Sequence, residues 1–227
     1  MNNYELNNLD YKNAIKNDKR TFFNYYISLL KKKHLILFSF FPINDYNLRS
    51  IKISLFWLSF STYFTINGFF FDDSTMHKIY KDENKYNFIS QISIILYSSL
   101  ISSTISILFK LLSLSENNIL SIKVEKQKNF LKKSKEVRKC LFIKLIIYFI
   151  LGHIFLFFYW FFISCFCVIY INTVIILIKD TLISFAISML YPFGIYILPA
   201  IFRIIALRSQ KGNKKCLYII SKYLSLI

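Results

Sequence analysis

From Leu145 to Tyr170 the chain runs for 26 residues without a Lys, Arg, Asp or Glu. As a helix rising about 1.5 Å per residue this stretch is roughly 39 Å long, more than the roughly 30 Å of a bilayer's hydrocarbon core. A single segment can satisfy its backbone hydrogen bonds in lipid only as a helix. The run lies within Leu141 to Tyr170, and it predicts a crossing that tilts or extends beyond the bilayer.

Three other segments have the length and character of a crossing. The first is roughly Ile53 to Phe71, "ISLFWLSFSTYFTINGFFF", where Trp57 and the Phe cluster suit the interface. The second runs from Phe88 to Phe109 and is followed by Lys110; the fourth runs roughly from Thr181 to Phe202 and ends at Arg203. Between the third and fourth lies "INTVIILIKD", whose apolar character blurs both boundaries, and Lys179 and Asp180 are expected to mark an external turn.

Lys and Arg accumulate on the cytoplasmic side of membrane proteins. Residues 1–52 carry nine, residues 116–144 carry nine, and the tail from Arg203 carries six with no acidic residue. By contrast "DDSTMHKIYKDENKY" has three Lys against four acidic residues, and the turn at Lys179 and Asp180 has one of each. This alternation predicts four crossings, both termini cytoplasmic and two short external connections. The expected fold class is all-α and integral to the membrane, with four transmembrane helices preceded by an interfacial amphipathic helix. The expected layout is a polar cytoplasmic N-terminus (1–20), the interfacial helix and its connection (21–52), a transmembrane domain (53–202) with a basic cytoplasmic connection (116–140), and a basic tail (203–227). That connection lacks Pro and Gly, so helix is expected there, extending the second and third spans.

Composition agrees: 55% of residues are hydrophobic and 19% aromatic, beyond what a soluble domain of this size needs for its core. A net charge of +17 would suggest nucleic acid in a soluble protein. Here apolar spans separate the charges, so the expected partner is a bilayer with anionic headgroups and not nucleic acid. The Phe, Tyr, Ile, Asn and Lys content matches AT-rich coding, which lowers the weight of any single Asn or Lys. Residues 1–20 lack the apolar core of a signal peptide, so targeting is expected to come from the spans.

The segment "LLKKKHLILFSFFPINDY", Leu29 to Tyr46, resembles a span interrupted by lysines. Upstream, Phe22, Phe23, Tyr26, Leu29 and Leu30 form an apolar helical stripe, with Asn24, Ser28, Lys31 and Lys32 on the other face. Only seven residues separate His34 from Pro42, six of them apolar, too few to cross. An interfacial helix on the cytoplasmic face is predicted, with Lys31, Lys32 and Lys33 beside anionic headgroups. Lys132, Lys133, Arg138, Lys214 and Lys215 are expected to make similar headgroup contacts.

Within the spans, Ser99, Ser102, Ser103 and Ser106 recur at i, i+3, i+4 and i+7 and define a small hydroxyl face. Such a face serves close helix packing or lines a polar pathway. Pro192 and Pro199, seven apart around Gly194, predict a kinked fourth helix, tolerated structurally or used for ion binding. His153 is an ionisable residue inside the third span, either hydrogen-bonded to a neighbouring helix or functional. Cys140 and Cys216 lie in basic juxtamembrane segments that permit S-palmitoylation. The tail around Cys216 can lie in the interface.

Catalytic and metal-binding patterns are missing: there is no GxSxG, HExxH, P-loop, Rossmann glycine pattern or CxxC pair. Asp72 and Asp73 near His77 could form an external acid pair, although charged loop residues are usually just solvated. No cofactor and no enzymatic activity are expected.

The segments "LDYKNAIKNDKRTFFNYYISLLKKKHLILFSFFPINDYN", "FFFDDSTMHKIYKDE" and "LSLSENNIL" resemble a module of multi-pass membrane proteins from AT-rich single-celled eukaryotes. The resemblance implies a eukaryotic membrane protein and brings no activity or site residue. The expected role is a non-enzymatic module that anchors or assembles partners, either a second copy or another membrane protein. A small channel or transporter subunit is the alternative.

Overall fold

A computed structural model describes residues 1, 3–43, 45–81, 88–123, 130–208 and 214–225. Among the described residues there are twelve helices and no strand. The first four are α1 (Asn3–Asn8), α2 (Tyr11–Asn17), α3 (Phe22–Lys33) and α4 (Leu35–Phe40). Next come α5 (Arg49–Phe69), α6 (Asp73–Lys81), α7 (Phe88–Ser113) and α8 (Glu116–Lys123). The last are α9 (Phe130–Ile169), α10 (Val174–Ile195), α11 (Ile197–Arg208) and α12 (Lys215–Leu224). The chain divides into two compact units, one of Met1–Tyr46 with Met189–Ile227 and one of Asn47–Ser188, the division falling inside α10.

The Asn47–Ser188 unit is an up-down-up-down bundle. Ser54 meets Tyr148, Leu58 meets Gly152, Phe64 meets Tyr159, Gly68 meets Phe162 and Phe71 meets Phe166. In these pairs the offset stays at 94 or 95 residues, so α5 and α9 run parallel and in step. Helix α7 runs the other way: Asn67 near the end of α5 contacts Ser98, whereas Asn47 just before α5 contacts Ser115 and Glu116 beyond α7. Helix α10 is also antiparallel to α5. Its start, Ile176 and Leu177, clusters with Phe71 and Phe166, while Phe185 packs on Phe56, Phe60 and Tyr63.

The bundle inverts the usual distribution of polarity. Phe157, Trp160, Phe161 and Val168 of α9, Leu100 and Leu108 of α7, and Ile175 and Leu182 of α10 are all exposed. Serine, threonine, asparagine and glutamine side chains instead lie buried between the helices. Such a surface is compatible with an apolar solvent. Among the described residues three stretches are long and apolar enough to cross a membrane, Gln91–Lys123, Phe130–Ile169 and Val174–Arg208. The most apolar window of the second is only 11% buried.

Three is one fewer than the sequence suggested. The segment expected to cross first, Ile53–Phe71, forms most of α5, which carries Ser54, Ser59, Ser61, Thr62, Thr65 and Asn67 and falls short by composition. Five of these six are buried in the bundle. A helix wrapped by other helices needs less hydrocarbon on its own surface than one that meets lipid.

In the other unit, α3 does form over the expected amphipathic segment, with Thr21 capping it by accepting the Asn24 amide hydrogen at 3.3 Å. Its apolar face packs on protein: Tyr25, Leu29 and Leu30 are buried with Tyr196 and Ala200, and Phe22, Tyr26 and Leu37 lie against them. Ser28, placed by the sequence on the solvent face, is buried, receiving a hydrogen bond from Arg20 at 3.2 Å and donating one to the Tyr25 carbonyl at 2.7 Å. The lysine run closes α3, with Lys31 exposed and Lys32 and Lys33 half-buried.

Candidate functional site

Two buried polar groupings organise the chain, one in each unit. In the bundle, the inward face of α7 is Gln91, Ile95, Ser98, Ser102, Ser106, Phe109 and Ser113, all buried at spacings of three and four residues. This face keeps Ser102 and Ser106 of the expected hydroxyl stripe. Ser99 and Ser103 fall on its flanks, half-buried, and Ser103 donates to the Leu100 carbonyl of its own helix. Hydroxyls surround α7 densely enough to suggest several faces. The large side chains Ile95 and Phe109 favour the one turned inward.

Ser98 is the junction of three helices. Its hydroxyl donates to Asn67 Oδ1 of α5 at 2.8 Å and lies 3.2 Å from Ser184 Oγ of α10, while Ser184 approaches the Ile95 carbonyl at 3.3 Å. Asn67 is oriented from behind, its amide nitrogen donating to the Tyr63 carbonyl at 2.8 Å. All three side chains are fully buried. The polar character continues along both helices. One turn before Ser184 on α10 are Asp180 and Thr181, fully buried, and one turn after it is Ser188. Gln91 Oε1, Ser102 Oγ, Ser106 Oγ and Thr181 Oγ1 are buried without a hydrogen-bond partner among the described residues.

Asp180 requires a correction. The turn between α9 and α10 is Tyr170–Thr173, where the Thr173 amide and hydroxyl both donate to the Tyr170 carbonyl at 3.0 Å. Lys179 and Asp180 therefore lie inside α10, with Lys179 exposed and Asp180 in the interior. The signal was present as an ionisable residue inside an apolar run, the ordinary mark of a functional candidate.

The second grouping surrounds Arg203, which is 1% exposed. Its Nε and Nη2 donate to Asp18 Oδ2 at 3.1 and 2.9 Å, and Nη2 also donates to the Leu6 carbonyl at 2.6 Å. The guanidinium lies over the rings of Tyr25 and Tyr218, 4.7 and 4.9 Å from their centroids. Arg20 holds Asp18 from the other side at 2.7 and 2.8 Å. Burial alone would push the Asp18 pKa up, but hydrogen bonds and charge from Arg20 and Arg203 outweigh it and hold the carboxyl below its ordinary range. Burial raises the phenols of Tyr25 and Tyr218. The sequence marked Arg203 only as a span end; its partner stands 185 residues earlier.

The remaining predicted positions are spread apart. His153 is exposed on α9, its Nδ1 2.6 Å from the Phe149 carbonyl of the same helix. Pro192 is buried inside α10, and Tyr196, four residues on, separates α10 from α11, giving the expected interruption. Pro199 sits in the first turn of α11, where a missing amide hydrogen costs little. Lys132 and Arg138 are exposed and Lys133 half-buried on the first turns of α9; Lys214 caps α12 and Lys215 opens it. Cys140 and Cys216 are exposed and reduced. Asp72 caps α6, accepting the Thr75 amide hydrogen at 2.8 Å, while Asp73 and His77 are exposed. Among the described residues no group of three or more His, Cys, Asp or Glu side chains could hold a metal ion. Comparison with protein-family models, with curated proteins and with solved structures finds no match.

Proposed function

We propose that this chain is a four-crossing integral membrane module with both ends on one side, whose basic face on that side seats anionic lipid and anchors or assembles partners. The observation that carries this reading is the register of α5 against α9. From Ser54 to Phe71, α5 and the residue after its C-cap keep step with Tyr148 to Phe166, the most apolar part of the chain. If that part of α9 crosses, α5 crosses beside it. A second argument is parity. Leu6, Asn7 and Asp18 bond directly to Arg203, which supports an even number of crossings between them. Four crossings satisfy this condition and three do not. The excess of Lys and Arg in residues 1–52, 116–144 and beyond Arg203 makes that side the cytoplasmic one. Each well-placed Lys or Arg there adds about 1 kcal/mol of attraction to anionic lipid.

The test is the side on which Ser74 lies. With Cys165 and Cys167 replaced by serine, a membrane-impermeant maleimide applied to intact cells should label a Ser74→Cys variant and leave Cys140 and Cys216 unlabelled, and an N-terminal epitope tag should be inaccessible to antibody. Ser74→Cys and the N-terminal tag on the same side would exclude a crossing by α5.

One observation favours a second reading, a small channel or transporter subunit. Ser102, Ser106, Thr181 and Gln91 present unsatisfied polar atoms along one inward seam. Buried polar atoms of that kind usually hold ordered water. Flux of water or a small solute through reconstituted protein, lost on Ser102→Leu, would establish this reading over anchoring.

A further inference from the structure

We infer that α12 is an interfacial helix whose outer face is seated on anionic lipid, which deepens the membrane reading above and rests on it. The orientation of α12 within its unit is set by its inner face. Tyr218 is buried with Ala14 and Ala206 and donates its hydroxyl to the Leu9 carbonyl at 2.8 Å. Ser221, fully buried, donates to the Pro199 carbonyl at 2.7 Å. These contacts make α11 and α12 an antiparallel hairpin and leave the opposite side of α12 outward.

That outer side is apolar. Cys216, Ile219, Ile220 and Tyr223 fall at i, i+3, i+4 and i+7 and are all exposed, Tyr223 at 68%. Two features identify what covers it. The first is continuity: α11, against which α12 packs, exposes Ile197, Leu198, Ile201 and Ile205 and belongs to a stretch apolar enough to cross a membrane. The second is charge. Lys214 and Lys215 stand at the N-terminal end of the stripe, and no acidic residue occurs from Arg203 to the end of the sequence; Lys222, on the same flank, is turned to the Asn8 carbonyl at 3.5 Å. An apolar stripe edged with lysines, beside a membrane-crossing segment, has the pattern of a helix lying at the headgroup and acyl-chain boundary. Tyr223 suits that depth because its ring is apolar and its hydroxyl reaches the wet side.

The test uses the full chain in nanodiscs of phosphatidylcholine with or without phosphatidylserine, with one nitroxide label per variant. The first variant keeps Cys216 as its single cysteine, the other three native cysteines being replaced by serine. The second and third lack all four native cysteines and carry Ile220→Cys or Tyr223→Cys. Lipid-soluble oxygen and water-soluble nickel report the depth of each label. With phosphatidylserine all three labels should be oxygen-accessible and nickel-protected. Lys214→Glu with Lys215→Glu should weaken this seating, roughly fivefold in partition for each lysine lost. Nickel access at all three sites in anionic nanodiscs would overturn the inference, as would labels shielded from both reagents, which would mean that protein covers the face. A label from Phe157→Cys on α9 separates the two levels: nickel access there would defeat the membrane reading itself, whereas protection there with exposure on α12 would defeat only this inference.

Discussion

The hydroxyls of Ser54 and Tyr148 meet at 2.6 Å across the α5–α9 contact. Tyr148 is 1% exposed, and Ser54 also donates to the Ile51 carbonyl at 2.9 Å, so the pair fixes the level at which two parallel helices come together. Hydrogen bonds between helices in a membrane average about 0.6 kcal/mol. A double-mutant cycle of Ser54→Ala and Tyr148→Phe, followed by unfolding in mixed micelles, should give a coupling near that value. Additive effects of the two changes would show that packing, and not this bond, sets the register.

The same contact makes two glycines unequal. A Cβ built on Gly68 would lie 2.6 Å from Phe162 Cε1, inside any tolerable distance, whereas one on Gly152 would be 3.5 Å from Leu58 Cδ1, an ordinary contact. Gly68→Ala must push α5 and α9 apart or turn the Phe162 ring, at a cost of about 1–3 kcal/mol. Gly152→Ala should be close to neutral. Gly194, with nothing within 4 Å, should accept alanine without loss. Thermal unfolding of the three variants ranks them directly.

The Asp18–Arg203 pair implies a dependence on pH with a definite sign. The folded-state pKa of Asp18 lies below the ordinary aspartate value of about 3.9, so folding favours the ionised form. The resulting stability is present above about pH 4 and is lost as the pH falls through the lower, folded-state value. Unfolding measured from pH 7 downward should show this loss only at the acid end, and Asp18→Asn should remove that part of it. The variant should itself cost about 3–5 kcal/mol at neutral pH, because it leaves Arg203 buried without its counter-charge. Arg203→Lys should also destabilise, since a lysine cannot reach Asp18 and the Leu6 carbonyl with one planar fork.

How much of this could be read in advance depended on whether a feature was local. The uncharged residues from Leu145 to Tyr170 were enough to expect α9, because helix and length are both set within the segment. The break after Pro192 was legible for the same reason. The turn at Tyr170–Thr173 was not, since it contains neither Gly nor Pro and sits between equally apolar runs; Asp180 was assigned to the turn in its place. The inward face of α7 depended on where α5 and α10 lie. No periodicity in a helix with hydroxyls on several sides can show that. Arg203 was the least legible, because its charge partner comes from α2's C-cap residue at the other end of the sequence.

Ser98 and Ser102 stand one turn apart on the same buried face and should respond differently to alanine. Ser98→Ala removes a hydroxyl bonded to Asn67 and close to Ser184, leaving Asn67 Oδ1 without that donor. A loss of about 1 kcal/mol, up to the roughly 1–3 of an orphaned buried group, is expected. Ser102→Ala removes an oxygen that has no partner among the described residues, so it should be neutral or slightly stabilising if the seam is dry. If ordered water occupies the seam, Ser102→Ala removes a bond to it, and its cost should approach that of Ser98→Ala. Unfolding of the two variants in the same bicelles therefore separates a packed interior from a hydrated one, and only the hydrated one leaves the channel reading standing.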